Sequence, residues 1–172
     1  MMRTAALFWN DRRGSAAAEM ALVTPLLVTL MFGSFELGKY FLDQHMVVKA
    51  VRDGARFAAR QSFSSMPCAG TATNETQIKN LVRTGTVDGT GTPRLFYWTS
   101  NATITVTIDC DDNTGGPDGD LPIYNGVYNQ RSTVPQVTVS ASVPYTPLVG
   151  AIGFEATGLS INAANQAAVF GL

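Results

Sequence analysis

The sequence is poor in the side chains that carry chemistry. Its 172 residues hold one histidine, His45, and two cysteines, Cys68 and Cys110. It has no Gly-x-Ser-x-Gly elbow, no Walker loop and no Cys/His set at metal-ligand spacing, so no nucleophile–base pair, phosphate cradle or zinc site is in view. The run "GTVDGTG" (Gly85 to Gly91) lacks the strand–glycine–helix context of a phosphate cradle. We expect no enzyme, no catalytic residue, no metal and no cofactor, with His45 in a surface or packing role. Charge is scarce too, at 15% of the chain and a formal net of −1. Residues 1–60 hold eight Lys/Arg against five Asp/Glu and residues 61–172 hold four against eight, without a basic, groove-reading module. Nucleic acid is therefore not an expected partner.

Charge is scarcest from Ser15 to Phe35, where Glu19 is the only ionisable side chain. At ~1.5 Å per residue this run makes a helix of roughly 30 Å, the thickness of a bilayer's hydrocarbon core. Lipid is thus the first expected partner, with a single span over residues 15–36. A signal peptide would place its apolar core before a small-residue cleavage site, whereas here the long run follows Gly14. Arg3, Arg12 and Arg13 precede the span, so the positive-inside rule leaves the N-terminus in the cytoplasm. Lys39, Lys49 and Arg52 follow it and work against that asymmetry. Cys68 and Cys110 then fall on the oxidising side, where a disulfide is expected; two buried thiols are the alternative that spacing leaves open.

Beyond Phe35 apolar residues still recur at three- and four-residue steps: Leu37, Tyr40, Phe41, Gln44, Val48, Val51, Ala55 and Ala58. One helix from near Ser15 to near Arg60 is expected, with an amphipathic continuation over 37–61 whose solvated side carries the i,i+4 pairs Lys39–Asp43 and Lys49–Asp53. Its apolar stripe needs cover, and residues 62–172 must supply it. These read as α+β. "TNETQIKNLVRTG" is a short helix with Asn74 as cap, Gln77 in the capping box and Gly85 as terminator. "ATITVTID", "QVTVSASVPY" and "GLSINAANQAAVF" alternate as half-buried strands. The expected fold is a long N-terminal helix packed on a small antiparallel sheet of three or four strands.

Several features carry two readings each. Glu19 is costly if ionised in hydrocarbon, but at the headgroup boundary, close to Arg12 and Arg13, it costs little. Pro25 removes a helical hydrogen bond; it is either simply tolerated in a membrane helix or a functional bend. Gly33, Gly38 and Gly54 either admit close helix approach or are small by chance. Lys49, Arg52, Arg56 and Arg60 fall on one helical face; they are either solvated or matched by the acidic loop Asp109 to Asp120, here or in a neighbouring subunit. That loop has Asp109, Asp111, Asn113 and Asp120 at EF-hand-like offsets, but Thr114 stands where glycine is needed and no helices flank it. A solvated turn is the expectation.

The order "RRGSAAAEM", Pro25, "FGSFELG" (Phe32 to Gly38) and "AVRDGARFAAR" (Ala50 to Arg60) resembles type IV pilins and pseudopilins. More narrowly it is similar to TadE-like pseudopilins of the tight-adherence (Flp pilus) machinery, and the likeness covers Gly14 to Arg60. It implies a pilin-like fold in a bacterial inner-membrane protein with its C-terminal domain outside, and removal of a 1–14 leader by a prepilin peptidase. Ser15 would become the first residue, its α-amino group, of pKa near about 8, cationic at neutral pH. That amine could pair with Glu19 of a neighbouring subunit, while Pro25, Gly33 and Gly38 serve helix packing. Further implied partners are other pilins and pseudopilins and the inner-membrane assembly platform; the implied role is structural, in pilus biogenesis or related secretion. Major pilins of this system have tyrosine after the glutamate, where this chain has Met20, which points to a minor component. The competing reading is an unprocessed single-pass envelope protein whose outer domain binds a surface partner.

Overall fold

The computed structural model describes residues 13–115, 122–148, 150 and 158–171. Among these described residues, two helices and three strands follow one another as α1 (Arg13–Ala59), α2 (Glu75–Thr84), β1 (Ile104–Asp112), β2 (Thr133–Pro144) and β3 (Ser160–Ala168), with three short 3-10 turns between them. The protein is thus α+β, one long N-terminal helix packed on a three-stranded antiparallel sheet of order β1-β2-β3. The alternation read in the sequence sets the register. Ile104, Val106 and Ile108 pair with Ala141, Val139 and Val137, which pair in turn with Ala163, Asn165 and Ala167, all on the face toward the helices.

α1 is continuous for 47 residues, about 70 Å at ~1.5 Å per residue. Its lower half is exposed and apolar; its upper half buries Val47, Ala50, Val51, Ala55 and Ala58 against Val137, Val139, Val143 and Ile161 of the sheet and Ile78 and Val82 of α2. Gly54 permits the close approach to α2, since a Cβ there would lie 2.3 Å from Val82 Cγ2 and 3.6 Å from Val139 Cγ1. A Cβ on Gly33 or Gly38 would meet nothing within 4 Å. The last helical carbonyl, Ala59 O, accepts from Phe170 N–H at 3.0 Å, so the residues after β3 close the end of α1.

Three local expectations are corrected. Below Val47 the domain-facing stripe is rotated: Leu37 and Phe41 are exposed, while Tyr40, Lys39 and Asp43 turn inward, the last two side chains only 19% and 13% exposed. Leu37 and Phe41 lie on the side of α1 the sheet does not reach. Asp53 pairs with Arg94 of the connector (3.0 Å), not with Lys49, because the connector passes over that face. Asn74 precedes α2 but makes no side-chain cap; its φ of −108° and ψ of 28° do not hold the side chain over the first turn, and its Oδ1 is buried without a partner. Gly85 does terminate the helix, at φ 80°, donating its N–H to Leu81 O.

Cys68, in the loop above α1, and Cys110, near the end of β1, are joined by a disulfide with Cα atoms 5.6 Å apart and a sequence separation of 42. On the chain-entropy model a loop of that length stabilises the fold by roughly 4 kcal/mol. Cys68→Ser/Cys110→Ser, measured by chemical denaturation of the full chain in detergent, should lose about 2–4 kcal/mol. Gly54→Val should cost about 1–3 kcal/mol by overpacking against Val82, whereas Gly38→Ala should leave the unfolding midpoint of the α+β domain unmoved. Equal effects from the two glycine variants would contradict the packing described.

Candidate functional site

Two stretches of α1 carry the polar chemistry. The first is the N-terminal end. Gly14 and Ser15 lie in the first turn of α1, and Glu19 one turn further on is exposed. Residues 1–12 of the expected leader 1–14 lie outside the described residues. Pro25 sits inside α1 without ending it. Proline takes one N–H out of the ladder, and hydroxyls supply extra donors nearby: Thr24 Oγ1 donates to Met20 O (2.6 Å), Thr29 Oγ1 to Pro25 O (2.8 Å) and Ser34 Oγ to Leu30 O (2.7 Å).

The second stretch is where the span leaves its apolar run. Glu36, Lys39, Tyr40 and Asp43 share the helix face toward the domain, at steps of three, one and three residues, and the segment following β2 folds down onto them. The Tyr145 hydroxyl donates to the Glu36 carboxylate, and Leu148 N–H donates to the same group at 2.9 Å. Lys39 Nζ bonds Asp43 (2.6 Å) and Thr146 O (3.0 Å), and lies 4.6 Å and 5.0 Å from the ring centres of Tyr145 and Tyr97. Tyr97 donates its hydroxyl to Asp43 at 2.8 Å, and the Tyr40 and Tyr97 rings both meet Tyr145 edge-on. Each of these charges is thereby held by a tyrosine, a backbone group or an opposite charge. Desolvation, and then the hydrogen bond from each phenol to its carboxylate, pushes the Tyr145 and Tyr97 hydroxyls well above the ordinary tyrosine value.

Of this clasp the sequence showed only the Lys39–Asp43 pair. Glu36, Lys39 and Asp43 form a one-sided polar stripe in a greasy helix, which could have signalled a polar partner; that Tyr145 and Tyr97 meet it is a tertiary fact.

Lys49, Arg52, Arg56 and Arg60 are exposed, and no ion pair among the described residues involves them. The acidic loop is described only in part, since Asp118 and Asp120 lie outside the described residues. The residues at its start are already engaged. Asn113, fully buried, donates to Tyr124 O, Tyr128 O and Arg131 O and accepts from Tyr124 N–H, closing the loop as a structural knot. Asp111 accepts from Tyr124 Oη and Gln136. Asp112 accepts from the hydroxyl and N–H of Thr114, which hold its carboxyl below the usual range. No group of three potential metal ligands occurs among the described residues. On the sheet face away from the helices lies a shallow cavity of about 390 Å³ lined by Thr103, Thr105, Ser140, Ser142 and Asn162. It offers hydroxyls and amides but no group that exchanges a proton near neutral pH.

Residues 14–56 match the model of a family described as TadE-like protein, a match that lies wholly within α1. No curated protein and no solved structure matches the chain. Among the described residues, one helix is long and apolar enough to cross a membrane.

Tyr145→Phe should lower the stability of the α+β domain by about 1–3 kcal/mol, the scale for a hydrogen bond to a charged group. A raised folded-state pKa means that the phenols' contribution is intact below pH 10, the ordinary tyrosine value, and declines as pH rises above it, because the unfolded chain releases those protons first. Denaturation midpoints across pH 8 to 12 should fall above about 10, less steeply in Tyr97→Phe/Tyr145→Phe; parallel profiles would count against the clasp.

Proposed function

We propose that this chain is a minor pseudopilin of a Tad-type pilus system. It is made with its N-terminus in the cytoplasm, anchored by the lower half of α1, and cut after Gly14 by a prepilin peptidase. It then contributes by packing rather than by chemistry. The observation that carries the reading is the family match over residues 14–56, which begins at the glycine of the proposed cut and spans Glu19.

Physically, cleavage changes the end of the helix. It removes Arg12 and Arg13 and leaves a cationic amine on Ser15, at a helix N-terminus where the macrodipole already adds partial positive charge. A carboxylate from another subunit is favoured there, and Glu19, exposed one turn up, is that carboxylate on each neighbouring copy or pilin. Pairing offsets the desolvation of both charges in lipid and sets the axial position of one helix against the next. Other pilins and the inner-membrane assembly platform are the partners this reading names. The exposed apolar face from Ala16 to Phe35 is the surface they and lipid share.

Intact mass of the protein from cells with an active prepilin peptidase should give a chain beginning at Ser15, and Gly14→Ala should leave it full length. Glu19→Ala should still reach the membrane but fail to enter assemblies with pilins. A full-length wild-type chain in such cells, with Glu19→Ala indifferent, would instead make this an unprocessed envelope anchor.

A further inference from the structure

The exposed apolar surface of α1 does not stop where a hydrocarbon core would. It runs from Ala16 to Met46, roughly 45 Å at ~1.5 Å per residue. That is about the thickness of a bilayer with both headgroup layers, against roughly 30 Å for the hydrocarbon alone. The last three turns, Leu37 to Met46, therefore fall at the outer headgroup level. There α1 is divided lengthwise. Glu36, Lys39 and Asp43 are covered by the domain, while Phe41, Leu42 and Met46 point away from it, Leu42 being 68% exposed.

The domain adds its own apolar side chains at the same height. Leu148, 62% exposed, is fixed there by its N–H bond to Glu36. Phe96, 77% exposed, stacks edge-on against Tyr97, whose hydroxyl is held by Asp43. Between these two loops stand Tyr40, Tyr97, Tyr145 and Lys39, the aromatic and snorkelling residue types that favour a membrane–water interface. Neither carboxylate at this level is bare.

We infer that the base of the outer domain is a lipid-docking surface. Phe96 and Leu148 sit beside Phe41 and Leu42 in the outer leaflet's interfacial layer, so the domain rides in the membrane surface instead of standing on a solvated stalk. The inference rests on the single-pass reading above. Lipid, not a second copy, is the occupant. The patch is continuous with the span, and it lies both on the helix side away from the domain and on two loops of the domain itself, a contour that a fluid leaflet fills and one partner helix does not.

The test uses the full chain in vesicles of phosphatidylethanolamine and phosphatidylglycerol, with and without acyl-chain-brominated lipid. Tryptophan is placed by Phe96→Trp and Leu148→Trp. Leu27→Trp serves as the reference inside the span. Val127→Trp is the reference in water, since its turn packs through Tyr128 on Phe63 beyond the far end of α1. Emission added over the wild type, which carries Trp9 and Trp98, is the signal. The added emission at 96 and 148 should be quenched by brominated lipid and be at least about two-fold less accessible to acrylamide than at 127, as for side chains in the interface. Acrylamide access equal to that at 127 would overturn the inference, as would shielding from both quenchers, which would mean that protein covers the patch. If Leu27→Trp also escapes brominated lipid, the membrane-spanning reading falls with it; if Leu27→Trp alone is quenched, only the docking surface falls.

Discussion

The close approach of α1 to α2 and the sheet is the contact on which the outer domain depends. A helix of this length has no stability of its own in water above the bilayer, and the small residues Ala50, Gly54, Ala55 and Ala58 bring its backbone near enough for Val82, Ile78 and Val139 to pack directly on it. Each buried valine or isoleucine contributes about 1.5–3 kcal/mol relative to exposure, but only if no void separates the layers. The same residues explain the shape of the sheet. With one face given to the helices, three strands suffice, and the other face can carry Thr105, Ser140 and Ser142 into solvent.

Continuity of α1 makes that packing matter beyond the domain. A rigid rod links the exposed apolar half to the buried half, so wherever the sheet grips, the height and rotation of the span are set as well. The clasp fixes that rotation at the most demanding point, where a carboxylate leaves hydrocarbon. An ionised Glu36 without donors would be expensive there. With the Tyr145 hydroxyl and the Leu148 N–H on it, the cost is offset, and the segment after β2 is tied to the helix by the same bonds. Lys39 does comparable service for Asp43 while its ammonium rests near two tyrosine rings. Stability and membrane placement thus use one set of interactions.

What the sequence made legible follows from range. Strict alternation in "ATITVTID" and "QVTVSASVPY" has one physical solution when a single face is wet, and the strands and their inward residues were readable from it. The uninterrupted apolar run gave the long helix, and Gly85 gave the end of α2 because a left-handed residue there has few substitutes. Where two polar options compete, local pattern was no guide. Lys49 and Arg94 are equivalent partners for Asp53 until the connector's path is known. Leu37 and Phe41 look like core residues to any periodicity argument that counts apolarity alone, because the sequence does not say which side of a helix in the interfacial layer is toward protein and which toward lipid. Asn74 has a cap's identity without a cap's backbone.

That ambiguity is itself informative about how the chain divides its demands. Above Val47 the medium outside the protein is water, and the inward face is the apolar one. Below Glu36 apolar residues surround the helix, as a lipid medium requires. Between them the rule inverts: the domain supplies tyrosines and backbone donors, so the inward face becomes the polar one and Phe41, Leu42 and Met46 turn outward. A helix obeying a single amphipathic rule from end to end would either place Asp43 toward the lipid or bury Phe41 against Tyr145 and leave the carboxylates without donors. The inversion at residues 36–46 is the arrangement that lets one unbroken helix pass through three environments while every charge at the boundary keeps a partner.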